Sequence, residues 1–199
     1  LMPALTLAIV QQSLVQLREW HRAMPALGLS LNLSADDLAS AAFVDQLIAL
    51  VQALQIAPST VVWEVTETSL IDERSLLSLA RLNLKGFGLA MDDYGIGYST
   101  MQSLARSPFT ELKIDQSFTR GALTDGFARA SVEMSVRLAK EMGLKIVAEG
   151  VETEEMWAFL ADLGIDEAQG YLMAKPMPPS EFAALLARGL PQLQQARRA

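Results

Sequence analysis

The sequence predicts an α/β protein with a parallel sheet, arranged as an incomplete TIM-like (β/α) barrel with about six of its eight strands. Three observations lead to this fold class. Short apolar runs typical of strands alternate with helical patterns along the chain. Polar residues recur at the ends of those runs, as they do at the active-site end of a barrel. The 199 residues are fewer than the about 250 of a complete barrel.

Six apolar runs are expected to form the strands. In several of them a polar residue lies between apolar neighbours, as Asn32 does between Leu31 and Leu33. Neighbouring side chains of a strand point to opposite faces, so the apolar neighbours are expected to face a layer of helices. The predicted strands are Leu29–Leu33, Val61–Val65, a strand that ends at Asp92, Glu111–Ile114, Lys145–Ala148 and Glu167–Gln169.

Helical patterns separate these strands. Gly143 and Gly164 are expected to end two of the helices, and Ser180 is expected to cap the closing helix. Because the chain starts on a helix, we expect the missing strands to be the first two of the barrel. The predicted helices are one ending near Trp20, then Phe43–Leu54, Glu73–Leu82, Ser99–Arg106, Ser131–Met142, Glu154–Leu163 and the closing helix. The expected domain covers residues 1–190, followed by a tail over residues 191–199.

The composition excludes several kinds of chemistry. Cysteine is absent, which excludes disulfides, thiolate metal sites and cysteine nucleophiles. His21 is the single histidine, so a zinc site rich in histidine is excluded as well. The 16 basic and 23 acidic residues give a net charge of −7, which argues against a surface for nucleic acid polymers. An anionic substrate would therefore need a cation as intermediary.

The sequence favours a cytoplasmic location for this domain. No apolar run is long enough to span a membrane. Residues 1–10 lack the basic leader and the cleavage site of a signal peptide. The expectation allows for a membrane anchor upstream in the parent protein.

Polar residues at the predicted strand ends form the candidate site. They supply many oxygen ligands and one lysine, a set that suits magnesium or manganese and does not suit zinc or copper. Converging carboxylates without a cation would repel one another and raise their pKa values. We therefore expect metal-assisted hydrolysis of an anionic substrate. The candidate residues are Asn32, Glu64, Glu67, Asp92, Asp93, Lys113, Asp115, Glu149, Glu152 and Gln169.

Six short motifs resemble, in order, those of EAL domains. They begin at Asn32-Leu33-Ser34, Glu64-Val65-Thr66-Glu67, Asp92-Asp93-Tyr94-Gly95, Leu112-Lys113-Ile114-Asp115, Ala148-Glu149-Gly150-Val151-Glu152 and Gln169-Gly170-Tyr171-Leu172. EAL domains are (β/α) barrels that hydrolyse the bacterial second messenger cyclic di-GMP to linear pGpG with magnesium or manganese. The resemblance thus implies a cyclic di-GMP phosphodiesterase.

The resemblance also implies the metal ligands. Asn32, Glu64 and Asp92 resemble ligands of a first metal, and Asp93 resembles the ligand of a second, so two Mg²⁺ or Mn²⁺ ions are expected. Glu67 resembles the glutamate that anchors the loop after Asp93. In the family this loop links substrate binding to dimerisation.

Catalytic roles follow from the same resemblance. Lys113 resembles the lysine that holds the attacking water or a phosphate oxygen, and Glu149 resembles the general base. Glu152, Gln169 and Asp115 are expected to support metal, water or substrate.

Three departures from the family pattern stand out. The Glu-Ala-Leu segment is absent, and with it a metal-binding glutamate and a phosphate-binding arginine. That segment falls where the first two strands are missing, so we expect this truncated form to have reduced activity. Ile96 replaces the usual threonine, and Gln116 replaces a common arginine.

Two other functions remain open. One is a nonhydrolytic cyclic di-GMP receptor or interaction module, which usually has eroded metal residues; here the later metal and base positions are intact. The other, a barrel lyase that stabilises an enolate with magnesium, does not account for the order of the motifs. The expected partners are cyclic di-GMP, a second copy in a homodimer, and sensor or GGDEF-type domains in the parent protein.

Overall fold

The sheet contains six parallel strands in sequence order. The computed structural model describes residues 2–66, 72–95, 104 and 107–188. The sheet order is β1-β2-β3-β4-β5-β6, and the sheet curls into a half-barrel. Within the described residues β1 and β6 each have one neighbour, so the barrel is not closed. The strands are β1 (Leu29–Asn32), β2 (Val61–Thr66), β3 (Gly88–Tyr94), β4 (Glu111–Ile114), β5 (Lys145–Glu149) and β6 (Glu167–Gln169).

Helices precede and connect the strands. In the described residues they are α1 (Met2–Trp20), α2 (Ala35–Ala39), α3 (Ala41–Ala53), α4 (Glu73–Leu84), α5 (Gln116–Gly121), α6 (Gly126–Met142), α7 (Glu154–Leu163) and α8 (Pro179–Arg188), with a 3-10 turn at Pro58–Thr60. No described helix combines the length and the apolar character that crossing a membrane requires.

Side-chain caps determine where several helices begin. The carboxylate of Asp125 accepts hydrogen bonds from the Phe127 and Ala128 amides at the start of α6. The hydroxyl of Thr153 accepts from the Met156 amide at the start of α7. Both helices end at a glycine in the left-handed region, Gly143 and Gly164. The sequence prediction of these two glycine stops is confirmed.

The hydrophobic core lies between the sheet and the helices. Alternate side chains of each strand point to the same face, and the apolar ones pack against apolar faces of the helices. The strands contribute Leu31, Trp63, Val65, Leu89, Met91, Leu112, Ile114 and Ile146, while the helices contribute Leu14, Leu17, Leu47, Leu79, Leu82, Val132, Val136 and Leu160. Because this core occupies the outer face of the sheet, the inner face is left for polar side chains.

The loops after β5 and β6 lie directly against each other. The amide of Val151 donates a hydrogen bond to the Gln169 carbonyl oxygen, and the amide of Leu172 donates to the Val151 carbonyl oxygen. A side chain at Gly170 would overlap the backbone of Val151. Glycine at this position therefore permits the close approach of the two loops.

Most predicted elements are present, with some changed boundaries. The strands at Glu111–Ile114 and Glu167–Gln169 and the helix Glu154–Leu163 have the predicted bounds. The expectation that Ser180 caps the last helix is wrong: α8 begins at Pro179, whose fixed φ suits the first helical position. The prediction that a strand ends at Asp92 is also wrong, because β3 continues to Tyr94.

Other predictions fall beyond the described residues. The helix expected over Ser99–Arg106 lies mostly there, and the tail over residues 191–199 lies there entirely. Conversely, the sequence reading missed two short helices, α2 and α5, each of which begins after a capping side chain, Ser34 or Asp115.

We predict that Gly170→Ala lowers the melting temperature by roughly 3–10 °C, because the new methyl group forces apart the loops after β5 and β6. Gly126→Ala is the matched control: a side chain there contacts nothing within 4 Å, and alanine favours the helix. Thermal unfolding followed by circular dichroism checks both variants. Equal melting temperatures would contradict the close approach at Gly170.

Candidate active site

Lys113 lies at the centre of the candidate site. Its Nζ atom is 2.8 Å from Glu64 Oε2, 2.8 Å from Asp92 Oδ1 and 2.6 Å from Glu149 Oε1. These four residues belong to four consecutive strands, β2 to β5. The Lys113 side chain is only 6% exposed. One buried ammonium group on β4 thus joins carboxylates from three other strands, β2, β3 and β5, on the inner face of the sheet.

The charge of Lys113 is stabilised by these contacts. Burial lowers the pKa of Lys113, but hydrogen bonds to Asp92, Glu149 and Glu64 outweigh burial and raise that pKa above its ordinary value. The lysine is therefore a permanent cation at neutral pH. It holds the three carboxylates together by donating hydrogen bonds to them.

A β-bulge brings two adjacent carboxylates together. Met91 pairs with Leu112 and Tyr94 pairs with Ile114, so three steps along β3 oppose two steps along β4. Asp93, within this bulge, has a φ of 56°. In a regular strand the carboxylates of Asp92 and Asp93 would point to opposite faces.

The bulge completes a cluster of three carboxylates. One carboxylate oxygen from each of Asp92, Asp93 and Glu149 lies within 4.8 Å of the others. Partial burial raises the pKa of Asp93, and the negative charges of Asp92 and Asp115 raise it further. Burial also raises the pKa of Glu149, although its hydrogen bond to Lys113 opposes that shift. The cluster therefore holds more negative charge than Lys113 compensates.

The strand register places two amides beside the carboxylates. Asn32 is the register partner of Glu64 across β1 and β2. Gln169 is the register partner of Glu149 across β5 and β6. Both amide residues are exposed, in contrast to the buried Glu64. The predicted residues Asn32 and Gln169 therefore lie on the same face as the carboxylates, at opposite edges of the half-barrel.

The remaining predicted residues have different surroundings. Asp115 is buried, and its carboxylate accepts a hydrogen bond from the Ser117 amide as the cap of α5. Glu152 lies after β5 and forms an ion pair with Arg120. Glu67, the predicted anchor of the loop after Asp93, lies outside the described residues, as does Ile96.

A pocket of about 250 Å³ lies beside Glu149; we call it the side pocket. It is lined by Gln116, Arg120, Glu149, Gly150, Glu152, Gln169, Gly170 and Tyr171. The sequence reading gave no role to Arg120 or Tyr171. The sequence analysis predicts no helix over residues 116–121, whereas the cap at Asp115 and the four-residue spacing from Gln116 to Arg120 indicate a helical turn.

The donor set fits a divalent cation. Glu64, Asp92, Asp93 and Glu149 carry four negative charges against the single positive charge of Lys113. All donors are carboxylate or amide oxygens, which are the ligands of hard cations. A divalent cation at the cluster would relieve the repulsion that raises the pKa of Asp93.

The EAL domain family matches residues 1–176 of the chain. The chain belongs to this family. The motifs that carry the resemblance are therefore those of an EAL domain, and the half-barrel of six parallel strands is part of a TIM-like fold.

Curated relatives of this EAL domain are longer proteins. It is 38% identical over 176 residues to the cyclic di-GMP phosphodiesterase RocR of Pseudomonas aeruginosa, covering 87% of the chain and 45% of RocR. It is 39% identical over 161 residues to the bifunctional diguanylate cyclase/cyclic di-GMP phosphodiesterase MucR of the same organism, covering 80% of the chain and 24% of MucR. The chain thus spans less than half the length of these relatives.

Solved structures share the fold. The PaMucR phosphodiesterase in complex with c-di-GMP superposes with a TM-score of 0.82 at 37% identity, over 87% of this chain and 72% of that one. The manganese/cy-diGMP complex of Klebsiella pneumoniae BlrP1 superposes with a TM-score of 0.74 at 32% identity, over 85% of this chain and 44% of that one.

We predict that Lys113→Met lowers the free energy of unfolding by about 3 kcal/mol at pH 7, because it leaves buried carboxylates without a counterion. The hydrogen bond from Lys113 opposes the burial that raises the pKa of Glu149, so its loss raises that pKa further, and the loss of stability grows as pH rises above the ordinary carboxyl pKa and shrinks in acid. Urea unfolding of both proteins at pH 7 and pH 5 measures the difference.

Arg74→Met is the control for this comparison. It removes an exposed ion pair with Asp72, which contributes little to stability. If the Lys113→Met variant unfolds at the same urea concentration as the unsubstituted chain at both pH values, Lys113 does not compensate the charge of the carboxylates.

Proposed function

We propose that this EAL domain hydrolyses cyclic di-GMP to linear pGpG with the help of Mg²⁺ or Mn²⁺. The observation that carries the proposal is the cluster of Asp92, Asp93 and Glu149 around the buried Lys113 in a member of this family. The relatives named as phosphodiesterases and the PaMucR complex with c-di-GMP support the substrate.

In this proposal, residues at the strand ends bind two cations. Asn32, Glu64 and Asp92 hold the first cation, and Asp93, turned inward by the bulge, holds the second. The BlrP1 complex with manganese supports a divalent cation. When bound, such cations polarise the phosphate oxygens and lower the pKa of a water molecule.

Glu149 is the proposed general base. Its pKa is raised by burial, which makes its carboxylate a better proton acceptor near neutral pH. It takes a proton from the attacking water, whose oxygen forms the new bond to phosphorus while the bond from phosphorus to O3′ breaks. The departing O3′ takes up a proton from solvent, Glu149 returns its proton to solvent, and the product keeps a 5′-phosphate.

The other residues are proposed to support this reaction. Lys113 positions Glu149 through its 2.6 Å ion pair and presents positive charge to a phosphate oxygen. Gln169 and Glu152 line the side pocket beside Glu149 and contact substrate or water. Asp115 supports the site by capping α5, and Glu67 is proposed to anchor the loop after Asp93.

We also propose that a closed barrel needs two further strands beside β1, so that the domain over residues 1–190 is incomplete by itself. The inner face is exposed at Ser30 and Asn32 next to this edge. A chain extended upstream in the parent gene should then unfold at a higher temperature and hydrolyse faster. An extended chain with the same stability and rate would contradict this proposal.

The surroundings of the domain are part of the proposal. We place it in the cytoplasm, within a longer signalling protein that carries sensor or GGDEF-type domains and forms a homodimer. Support comes from MucR, whose name combines a diguanylate cyclase with a phosphodiesterase and of which this chain covers only 24%.

We predict that Asp92→Asn weakens Mn²⁺ binding by about tenfold or more, because the amide retains the shape of the carboxylate and loses its charge. Isothermal titration calorimetry with MnCl₂ measures the dissociation constant. Asp45→Asn is the matched control, since Asp45 pairs with Arg81 on the outer helices. Unchanged affinity in Asp92→Asn would remove this residue from the metal site.

We predict that Glu149→Gln reduces the rate of cyclic di-GMP hydrolysis by about 10²- to 10⁴-fold while ligand binding persists, because the amide accepts no proton. Chromatographic detection of pGpG measures turnover, and calorimetry measures binding. Glu133→Gln, on the exposed face of α6, is the control.

Two results would change the proposal. Near-normal turnover by Glu149→Gln would place the base elsewhere. An unsubstituted chain that binds cyclic di-GMP without hydrolysing it would instead support the receptor alternative.

A further inference from the structure

Arg120 joins helix α5 to the loop after β5 at the wall of the side pocket. Its Nη2 atom lies 2.5 Å from Glu152 Oε1, although the two residues are 32 positions apart in the chain. The side chains are 49% and 41% exposed. An ion pair this exposed contributes little to stability. Its place beside Glu149 therefore needs an explanation other than folding.

The backbone after Glu149 leaves room for Arg120. Gly150 has a φ of 69°, and a Cβ atom at this position would lie 2.5 Å from Gln116 Cβ and 3.5 Å from Arg120 Nε. The first turn of α5 and the guanidinium of Arg120 therefore pack directly on the turn that follows Glu149. The arginine therefore lies directly beside the turn that follows the proposed base.

The side pocket contains charges of both signs. Among the described residues that line it, Glu149 and Glu152 are negative and Arg120 is positive. A phosphodiester is itself an anion, so an uncompensated Glu152 carboxylate would repel it. The ion pair with Arg120 offsets this charge.

We propose that Arg120 is a positioning residue that neutralises Glu152, so that an anionic nucleotide can lie beside Glu149. This inference rests on the proposed function, because it takes cyclic di-GMP as the anion. Arg120 acts through Glu152 and makes no direct contact with the phosphate. The proposal therefore predicts that the effect of removing Arg120 depends on the charge of residue 152.

The test is a double-mutant cycle of Arg120→Gln and Glu152→Gln. All four proteins carry Glu149→Gln, so that binding is measured without turnover. The dissociation constant of cyclic di-GMP is measured by calorimetry in the presence of Mn²⁺. Arg120→Gln is expected to weaken binding roughly five-fold when Glu152 is present, and less than two-fold when Glu152→Gln has removed the charge.

Three further measurements separate charge from structure. Arg120→Lys retains the positive charge and should recover most of the affinity. Raising the salt concentration should shrink the effect of Arg120→Gln, because it screens the repulsion from Glu152. Arg129→Gln, which removes a similarly exposed arginine paired with Glu133 on α6, should leave the dissociation constant unchanged.

Two results would overturn the inference. Equal weakening by Arg120→Gln in both backgrounds would mean that Arg120 binds the phosphate directly. Equal affinity of all four proteins for cyclic di-GMP would mean that Arg120 and Glu152 form only a surface salt bridge with no role in binding. Hydrolysis by the unsubstituted chain is assayed separately, so a lack of turnover would contradict the proposed function and leave the comparison of dissociation constants intact.

Discussion

The buried ammonium group of Lys113 is the contact on which the rest of the site depends. Carboxylates of β2, β3 and β5 converge on it within 2.8 Å, a geometry that requires the parallel register of four consecutive strands. Without this cation, the buried Glu64 and the partly buried Asp92 and Glu149 would lose their counterion, which is destabilising. Lys113 compensates only part of the negative charge. The incomplete compensation is what makes the cluster suitable for additional, divalent cations.

The bulge in β3 solves a problem that regular strand geometry creates. Two adjacent aspartates cannot both face the interior of a regular strand. Between the pairs Met91–Leu112 and Tyr94–Ile114, β3 contains one residue more than β4. With Asp93 in the left-handed region, this extra residue turns the second carboxylate toward the first. Aspartate adopts this conformation more readily than most residues. The site thus obtains its third clustered carboxylate from a local backbone irregularity.

The alternation of polar and apolar residues explains how much the sequence could predict. Lys113 between Leu112 and Ile114 indicates which face each side chain occupies, and the structure places all three accordingly. The bulge at Asp93 was not predictable in this way, because it changes φ without changing the hydrophobic pattern. Helix α5 was missed for a related reason: its six residues are too few to show a periodic apolar face. Arg120 was overlooked with it, since a residue outside every predicted strand and helix has no predicted side-chain direction.

The division of the sheet into an apolar outer face and a charged inner face also links stability to ligand binding. Residues such as Trp63, Leu89 and Leu112 are fully buried between sheet and helices, and this burial must offset the repulsion among the carboxylates on the opposite face. A divalent cation bound to the folded chain would reduce that repulsion, and any ligand that prefers the folded state stabilises it by mass action. The loops after β5 and β6 lie next to this charged face. Gly150 lets α5 pack directly on the turn after Glu149, and Gly170 lets the loop after β6 pack directly on Val151. The turn after Glu149 therefore connects the charged inner face to the wall of the side pocket through backbone contacts that have little room to adjust.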